Sequence, residues 1–184
     1  MAIAINGNGT VTGISVGGLP DGIVDEDMLA ATAVSPLKRK GAGTVLQTVE
    51  ASGNTATTST SESYIETVIT GAITPLKSDS VILVDVSAPM WPPQNSYMHI
   101  QLRSSGGNTN NDIATWGDNY TTEGYACFNV WLPYRHTSHN TTSAITYKIF
   151  CKKQNSNGST WYCPNNNTAN STVSWWIRMT EVLA

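Results

Sequence analysis

The residues after Gly43 predict a mainly β fold, an antiparallel β-sandwich of jelly-roll type, preceded by an extended N-terminal arm with one short helix. Three observations predict it. From Gly71 to Ala184 short alternating apolar/polar runs follow one another with no helix-period segment between them, the runs are set in Thr, Ser, Asn and Gly, and charged residues make up only 12% of the chain. Alternation buries one face of each strand while the polar joints stay in water.

Ala2–Ile5 and Thr10–Val16 read as two short strands around Asn6-Gly7-Asn8-Gly9, a turn signal that lets them pair as a hairpin. In Asp25-Glu26-Asp27-Met28-Leu29-Ala30-Ala31-Thr32-Ala33-Val34 three acids precede alanines and Pro36 follows, the charge order a helix dipole favours. A lone helix of about ten residues is marginal in water, so packing on a copy of itself or on a larger partner is expected. Lys38-Arg39-Lys40-Gly41-Ala42-Gly43 reads as a solvated basic joint, with an electrostatic dock to a neighbour's acidic turn as the alternative.

Strands are expected at Val45–Glu50 and Tyr64–Ile73, with a Thr/Ser-rich loop over Ser52–Ser63 between them. Val81–Val86 is apolar on both faces for half its length, which suits a central strand. Met98, Ile100 and Leu102 alternate with Tyr97, His99, Gln101 and Arg103, and Ala126, Phe128, Val130 and Leu132 with Tyr125, Cys127, Asn129 and Trp131. Ile145, Tyr147, Ile149 and Cys151 oppose Thr146, Lys148, Phe150 and Lys152. Thr172–Leu183 closes the chain with Val173, Trp175, Ile177 and Met179 against Trp176, Arg178 and Val182. With a hairpin return near Trp161 the count is about eight strands, that of a jelly roll. The division expected is an arm over 1–43 and a display domain over 44–184.

At 184 residues the chain has room for one such domain and an arm. A net charge of −3 leaves no broad basic footprint, which argues against nucleic acid as the main partner. No apolar run approaches a membrane span. Met1–Val16 lacks a basic stretch and an unbroken apolar core, so it reads as mature protein. Cys127, Cys151 and Cys163 show no CxxC spacing and read as small buried hydrophobes. A two-residue Asn157-Gly158 turn sets Cys151 opposite position 164, whereas a three-residue loop centred on Asn157 sets it opposite Cys163. Their pairing stays open.

The leader Ala4-Ile5-Asn6-Gly7-Asn8-Gly9-Thr10-Val11-Thr12-Gly13, with Gly18-Leu19-Pro20-Asp21-Gly22-Ile23-Val24 and Asp27-Met28-Leu29-Ala30, resembles the start of virion structural proteins of tailed bacteriophages, notably cyanobacterial ones. Ile73-Thr74-Pro75, Ser80–Val84, Thr141–Lys148, Thr172–Ser174 and Met179–Val182 resemble a β domain recurring in phage fibre and fibre-like proteins. The resemblance implies a homotrimer, assembled in the host cytoplasm, whose arm docks on other virion proteins through residues such as Leu19, Met28 and Leu29 while the sandwich points outward. It supplies no catalytic residue. No shaft repeat separates arm from tip, so capsid or tail decoration, clamping neighbouring subunits, is the alternative to a short tail fibre or fibre tip that attaches to a host-surface glycan or envelope protein.

Loop-borne aromatics carry the recognition reading: Trp91 before Pro92-Pro93, Trp116 and Tyr120 around Gly117-Asp118-Asn119, and Trp131 with Tyr134. Aromatic rings stack on sugar C–H faces while amides and carboxylates meet hydroxyls. Trp116, Asp118, Asn119 and Tyr120 are the candidate receptor contacts; the competing reading is that such rings fill the core or a trimer interface. His136-Thr137-Ser138-His139 has metal-ligand spacing but no third ligand apart from His99, so a solvated loop is expected there. No Gly-X-Ser-X-Gly elbow, P-loop or HEXXH is present and no Ser/His/Asp set stands out, so neither an enzyme nor a cofactor is expected. Asp112, Asp118 and Glu123 are the carboxylates a glycosidase would use, but fibre hydrolases are far longer chains.

Overall fold

A computed structural model describes residues 4–5, 11–12, 41–93, 95–106, 112–121, 128–154, 160–164 and 174–184, with the backbone alone at 4–5, 11–12, 112–113, 116–121 and 128. The chain divides into two compact units, Met1–Arg39 and Lys40–Ala184.

In the first unit β1 (Ala4–Ile5) and β2 (Val11–Thr12) pair antiparallel, Ala4 with Thr12 and Ile5 with Val11, which is the hairpin expected around Asn6–Gly9. The helix expected over Asp25–Val34, the basic joint at Lys38–Lys40 and the docking residues Leu19, Met28 and Leu29 lie outside the described residues.

The second unit is all strand: β3 (Val45–Gly53), β4 (Thr58–Ser59), β5 (Ile65–Ile73), β6 (Val81–Met90), β7 (Ser96–Ser105), β8 (Asp112–Thr121), β9 (Phe128–His136), β10 (Ile145–Lys153), β11 (Trp161–Tyr162) and β12 (Trp175–Val182). Two four-stranded antiparallel sheets form, β3-β12-β6-β9 and β5-β10-β7-β8. Numbering the eight long strands in chain order gives 1-8-3-6 and 2-7-4-5, the strand order of a jelly roll. The sheets face each other across one core to which β5, β6, β7, β9, β10 and β12 all contribute.

The alternations expected for β7, β10 and β12 are present: Met98, Ile100, Leu102, Ile145, Tyr147, Ile149, Cys151, Ile177 and Met179 are buried. β6 lies between β12 and β9, the central place its two apolar faces call for. At Gly71 a side chain would stand 2.8 Å from Ile177 Cγ2 and 2.9 Å from Met179 Sδ, so β5 approaches β12 as closely as glycine allows.

β5 bulges where its pairing with β10 jumps from Thr70–Lys148 to Glu66–Phe150. The polar groups freed there find partners: the Thr67 hydroxyl donates to Ile149 O at 2.9 Å and accepts from Ile69 N at 3.2 Å, and Val68 N donates to Thr57 Oγ1 at 2.9 Å. A buried backbone group left unmade would cost more than the bulge itself.

Two expectations change. Asp112–Thr121 is a strand rather than a recognition loop, and it is β8 that completes the eight long strands. Trp161–Tyr162 is a two-residue strand that pairs with β4, not back onto β10, so no hairpin sets Cys151 against Cys163. The loop signal at Gly117-Asp118-Asn119 marks a bulge: register runs Ile100–Trp116 and then Met98–Asn119, leaving Gly117 and Asp118 facing the single residue His99.

Candidate functional site

The outward face of β3-β12-β6-β9 presents the most exposed aromatic side chain among the described residues. Alternation along β9 sends Val130, Leu132, Tyr134 and His136 toward the core and Asn129, Trp131, Pro133 and Arg135 outward. Pro133 is tolerated because β9 is an edge strand of its sheet among the described residues. Trp131 is 67% exposed. Its Nε1 donates to Asp85 Oδ1 at 3.2 Å, across a gap of 46 residues in sequence. That bond limits the orientation of a ring otherwise free in solvent.

Around this pair the sheet supplies neighbours by register. Ser87 stands opposite Trp131 and beside Trp176, and Asp85 stands between Arg178 and Pro133. Arg178 stacks 5.0 Å over Trp176 and donates from Nε and Nη2 to Glu50 Oε2 at 2.9 and 2.8 Å. Next to Trp131, a shallow cleft of about 280 Å³ is lined by Leu83, Asp85, Pro133, Tyr134 and Arg135. Asp85 thus serves both the tryptophan and the cleft. An aromatic face beside a carboxylate and a guanidinium can stack on a sugar ring and meet its hydroxyls.

The residues proposed from sequence as receptor contacts fall elsewhere. Trp116, Asp118, Asn119 and Tyr120 lie on β8, the edge strand of the other sheet. Trp116 and Asn119 are in register with the buried Ile100 and Met98, Tyr120 with the half-buried Tyr97, and Asp118 sits in the bulge. One strand therefore gathers all four, on a sheet edge and not on a loop tip. Trp91 is a structural contact: it is half-buried, bridges Tyr162 through two 3.0 Å backbone bonds, and stacks on that ring with centroids 5.3 Å apart.

His136 and His139 are buried, which corrects the solvated loop expected of them. His136 continues the inward alternation of β9 and its Nδ1 meets the Tyr147 hydroxyl at 2.7 Å. Burial, with His139 beside it, holds the His136 imidazole down at about 4, and burial with Tyr134 nearby pushes the Tyr147 hydroxyl up. His139 Nε2 lies 2.9 Å from Ser80 O and 3.2 Å from Ser80 Oγ, and its Nδ1 3.1 Å from Thr141 O. Among the described residues no group of three or more metal-ligating side chains assembles.

Glu181 completes this buried corner. Ser80 Oγ donates to it at 2.6 Å, Gln47 Nε2 at 2.6 Å, and the backbone N–H groups of Leu76 and Lys77 at 3.0 Å or less. Burial alone would raise its carboxyl, but these donors together outweigh burial and hold it lowered. The carboxylate meets the serine directly and His139 faces two backbone carbonyls, so the three do not form the nucleophile–base–carboxylate chain of a triad. Their work is to pin the β5–β6 turn to β12.

Cys151 and Cys163 are both buried and unbridged, as small hydrophobes would be. Burial, with the Cys163 thiol next to it, raises Cys151 well above the ordinary thiol range. Cys127 lies outside the described residues.

No family model matches the chain, and no curated protein matches it. Among solved structures the chain is similar to one in the structure of infectious bursal disease virus Gx strain, at 10% identity and a TM-score of 0.41, over 75% of this chain and 37% of that one. It therefore spans little more than a third of that chain's length. A likeness at that score and identity establishes neither shared ancestry nor shared role.

Proposed function

We propose that the chain is a virion structural protein whose jelly roll is displayed for non-covalent attachment to a host-surface glycan, acting without catalysis, as a homotrimer held through its first 43 residues. The observation that carries the attachment reading is Trp131, 67% exposed yet tied to Asp85 beside a mainly apolar cleft that also holds Arg135. What sets Trp131 apart is that its exposed ring is held by a hydrogen bond, so less orientational freedom is lost when it stacks on a ligand. Decoration of a capsid or tail would call for a broad apolar clamp. The large exposed apolar side chains among the described residues are Val45, Ile65, Leu76 and Trp131, and they fall on β3, β5, the β5–β6 turn and β9. Weak single contacts repeated in a trimer add up through avidity.

The test is binding of the purified, full-length protein to host cells or envelope extract. Wild type binds; Trp131→Ala loses about tenfold in single-site affinity, the order of one aromatic stacking contact, with the melting temperature unchanged. Trp116→Ala, run alongside, reports whether the β8 edge takes part. If wild type ignores host cells but raises the thermal or osmotic resistance of particles that lack it, decoration is the function.

A further inference from the structure

The outward face of the other sheet carries a cationic cleft that the attachment reading does not use. Arg103 and Lys148 stand directly opposite each other in the β7–β10 register. Like charges so placed repel, and here they are held by other groups. Lys148 Nζ lies 2.7 Å from Glu66 Oε1. The Arg103 guanidinium stacks 4.2 Å over Phe150 and 5.5 Å from the Tyr64 ring, and its Nε and Nη2 donate to Gln101 Oε1 at 2.9 and 2.8 Å. Lys152 stacks 4.8 Å over Tyr64. On the far side Asp112 of β8 is in register with Arg103. Glu66, Arg103, Ser104, Ser105, Lys148 and Phe150 surround a cleft of about 230 Å³.

We propose that this cleft binds the carboxylate of a uronic acid residue in an acidic surface polysaccharide. Three cations gather on one face of a chain whose net charge is −3. A planar carboxylate is the partner that guanidinium geometry selects, and an adjacent ammonium adds a second charge-assisted bond. The Glu66–Lys148 pair is half-exposed on both sides, so it holds together weakly and an incoming anion can displace it. Glu66 thereby occupies, from within the chain, the place the ligand's carboxylate takes. The remaining wall offers the Ser105 hydroxyl, suited to a sugar hydroxyl, and the Phe150 ring. The volume falls just short of the roughly 300–1,000 Å³ of sites for drug-sized ligands, which suits a single sugar residue.

The inference deepens the attachment reading by naming a ligand class, and it is tested on purified protein without cells, so the two can fail separately. Trigalacturonate titrated into full-length protein is expected to shift the amide resonances of residues 101–105 and 146–150, and its methyl ester is not. Arg103→Gln and Lys148→Gln each weaken binding about tenfold, added salt weakens it, and Glu66→Gln, which removes the competing carboxylate, tightens it several-fold. The Glu66 variant guards against a folding artefact, because lost structure cannot raise affinity. Equal binding of the ester, displacement by equimolar inorganic phosphate, or unchanged affinity in Glu66→Gln would each overturn the proposal. Host-cell binding that persists in that case leaves the attachment reading standing.

Discussion

His136 of β9 and Tyr147 of β10 meet across the sandwich, imidazole Nδ1 to phenol oxygen at 2.7 Å, and so join the two sheets by a buried polar contact. An imidazole in that place is stable only while neutral, because its charged form would lose hydration without gaining a carboxylate.

Acid should therefore begin to loosen the fold well above the pH at which it would act through Glu181. The folded His136 pKa of about 4 lies below its ordinary 6.5, so the unfolded chain binds the extra proton between those values and stability falls as pH drops from 6.5 to 4. The expected loss is about 2–3 kcal/mol. From about pH 4.5 downward Glu181, whose folded pKa is lowered, adds a second loss as it protonates. Urea melts across this range check it: His136→Gln should flatten the pH 6.5-to-4 slope whatever its absolute stability.

Removing the Glu181 carboxylate should unpin the β5–β6 turn. Glu181→Ala leaves the N–H groups of Leu76 and Lys77 without their acceptor, while the Ser80 hydroxyl keeps Lys77 O at 2.8 Å, a loss of about 3 kcal/mol, or roughly 10 °C in melting temperature. Hydrogen exchange at residues 76 and 77 should accelerate more than in the core strands. Uniform acceleration would mean that the carboxylate serves the whole fold and not the turn.

Gly71→Ala should cost about 2 kcal/mol by pushing β5 off β12. Combined with Met179→Ala the loss should be less than the sum of the two single losses, since two of the three atoms met belong to the methionine end. A double-mutant cycle showing no coupling between the two positions would contradict the close approach of the sheets.

Deleting Met1–Arg39 leaves intact every buried residue identified among the described ones, all of which lie in Lys40–Ala184. The shortened chain is expected to melt within a few degrees of the full one and, on the proposed homotrimer held through the first 43 residues, to sediment as a monomer while the full chain sediments as a trimer. A truncated chain that still sediments as a trimer would place the contacts in the sandwich.

How far the sequence could be read depended on where each signal lay. Strict alternation made β7, β10 and β12 legible down to single residues, because every inward position from Met98 to Leu102 and from Ile145 to Cys151 is buried. β8 was hidden by Gly117-Asp118-Asn119, which signals a turn as readily as a bulge; only the pairing with β7 tells them apart. His136 was within reach, since it follows Leu132 and Tyr134 at period two, whereas His139 lies past the strand and its burial depends on Ser80, 59 residues away. The same holds for the surface sites. Trp131 was legible as outward-facing, but its partner Asp85 and the Arg103–Lys148 opposition arise from strands that meet only in the folded sheet.

The bonds from Gly43 N to Leu183 O and from Leu183 N to Thr44 O close the sandwich where it opens. Entrance and exit share one doorway, so the domain can be spliced as a bead into a host polypeptide, or its ends rejoined and reopened elsewhere, with little rearrangement of the strands. Anything fused after Ala184 would crowd that same threshold.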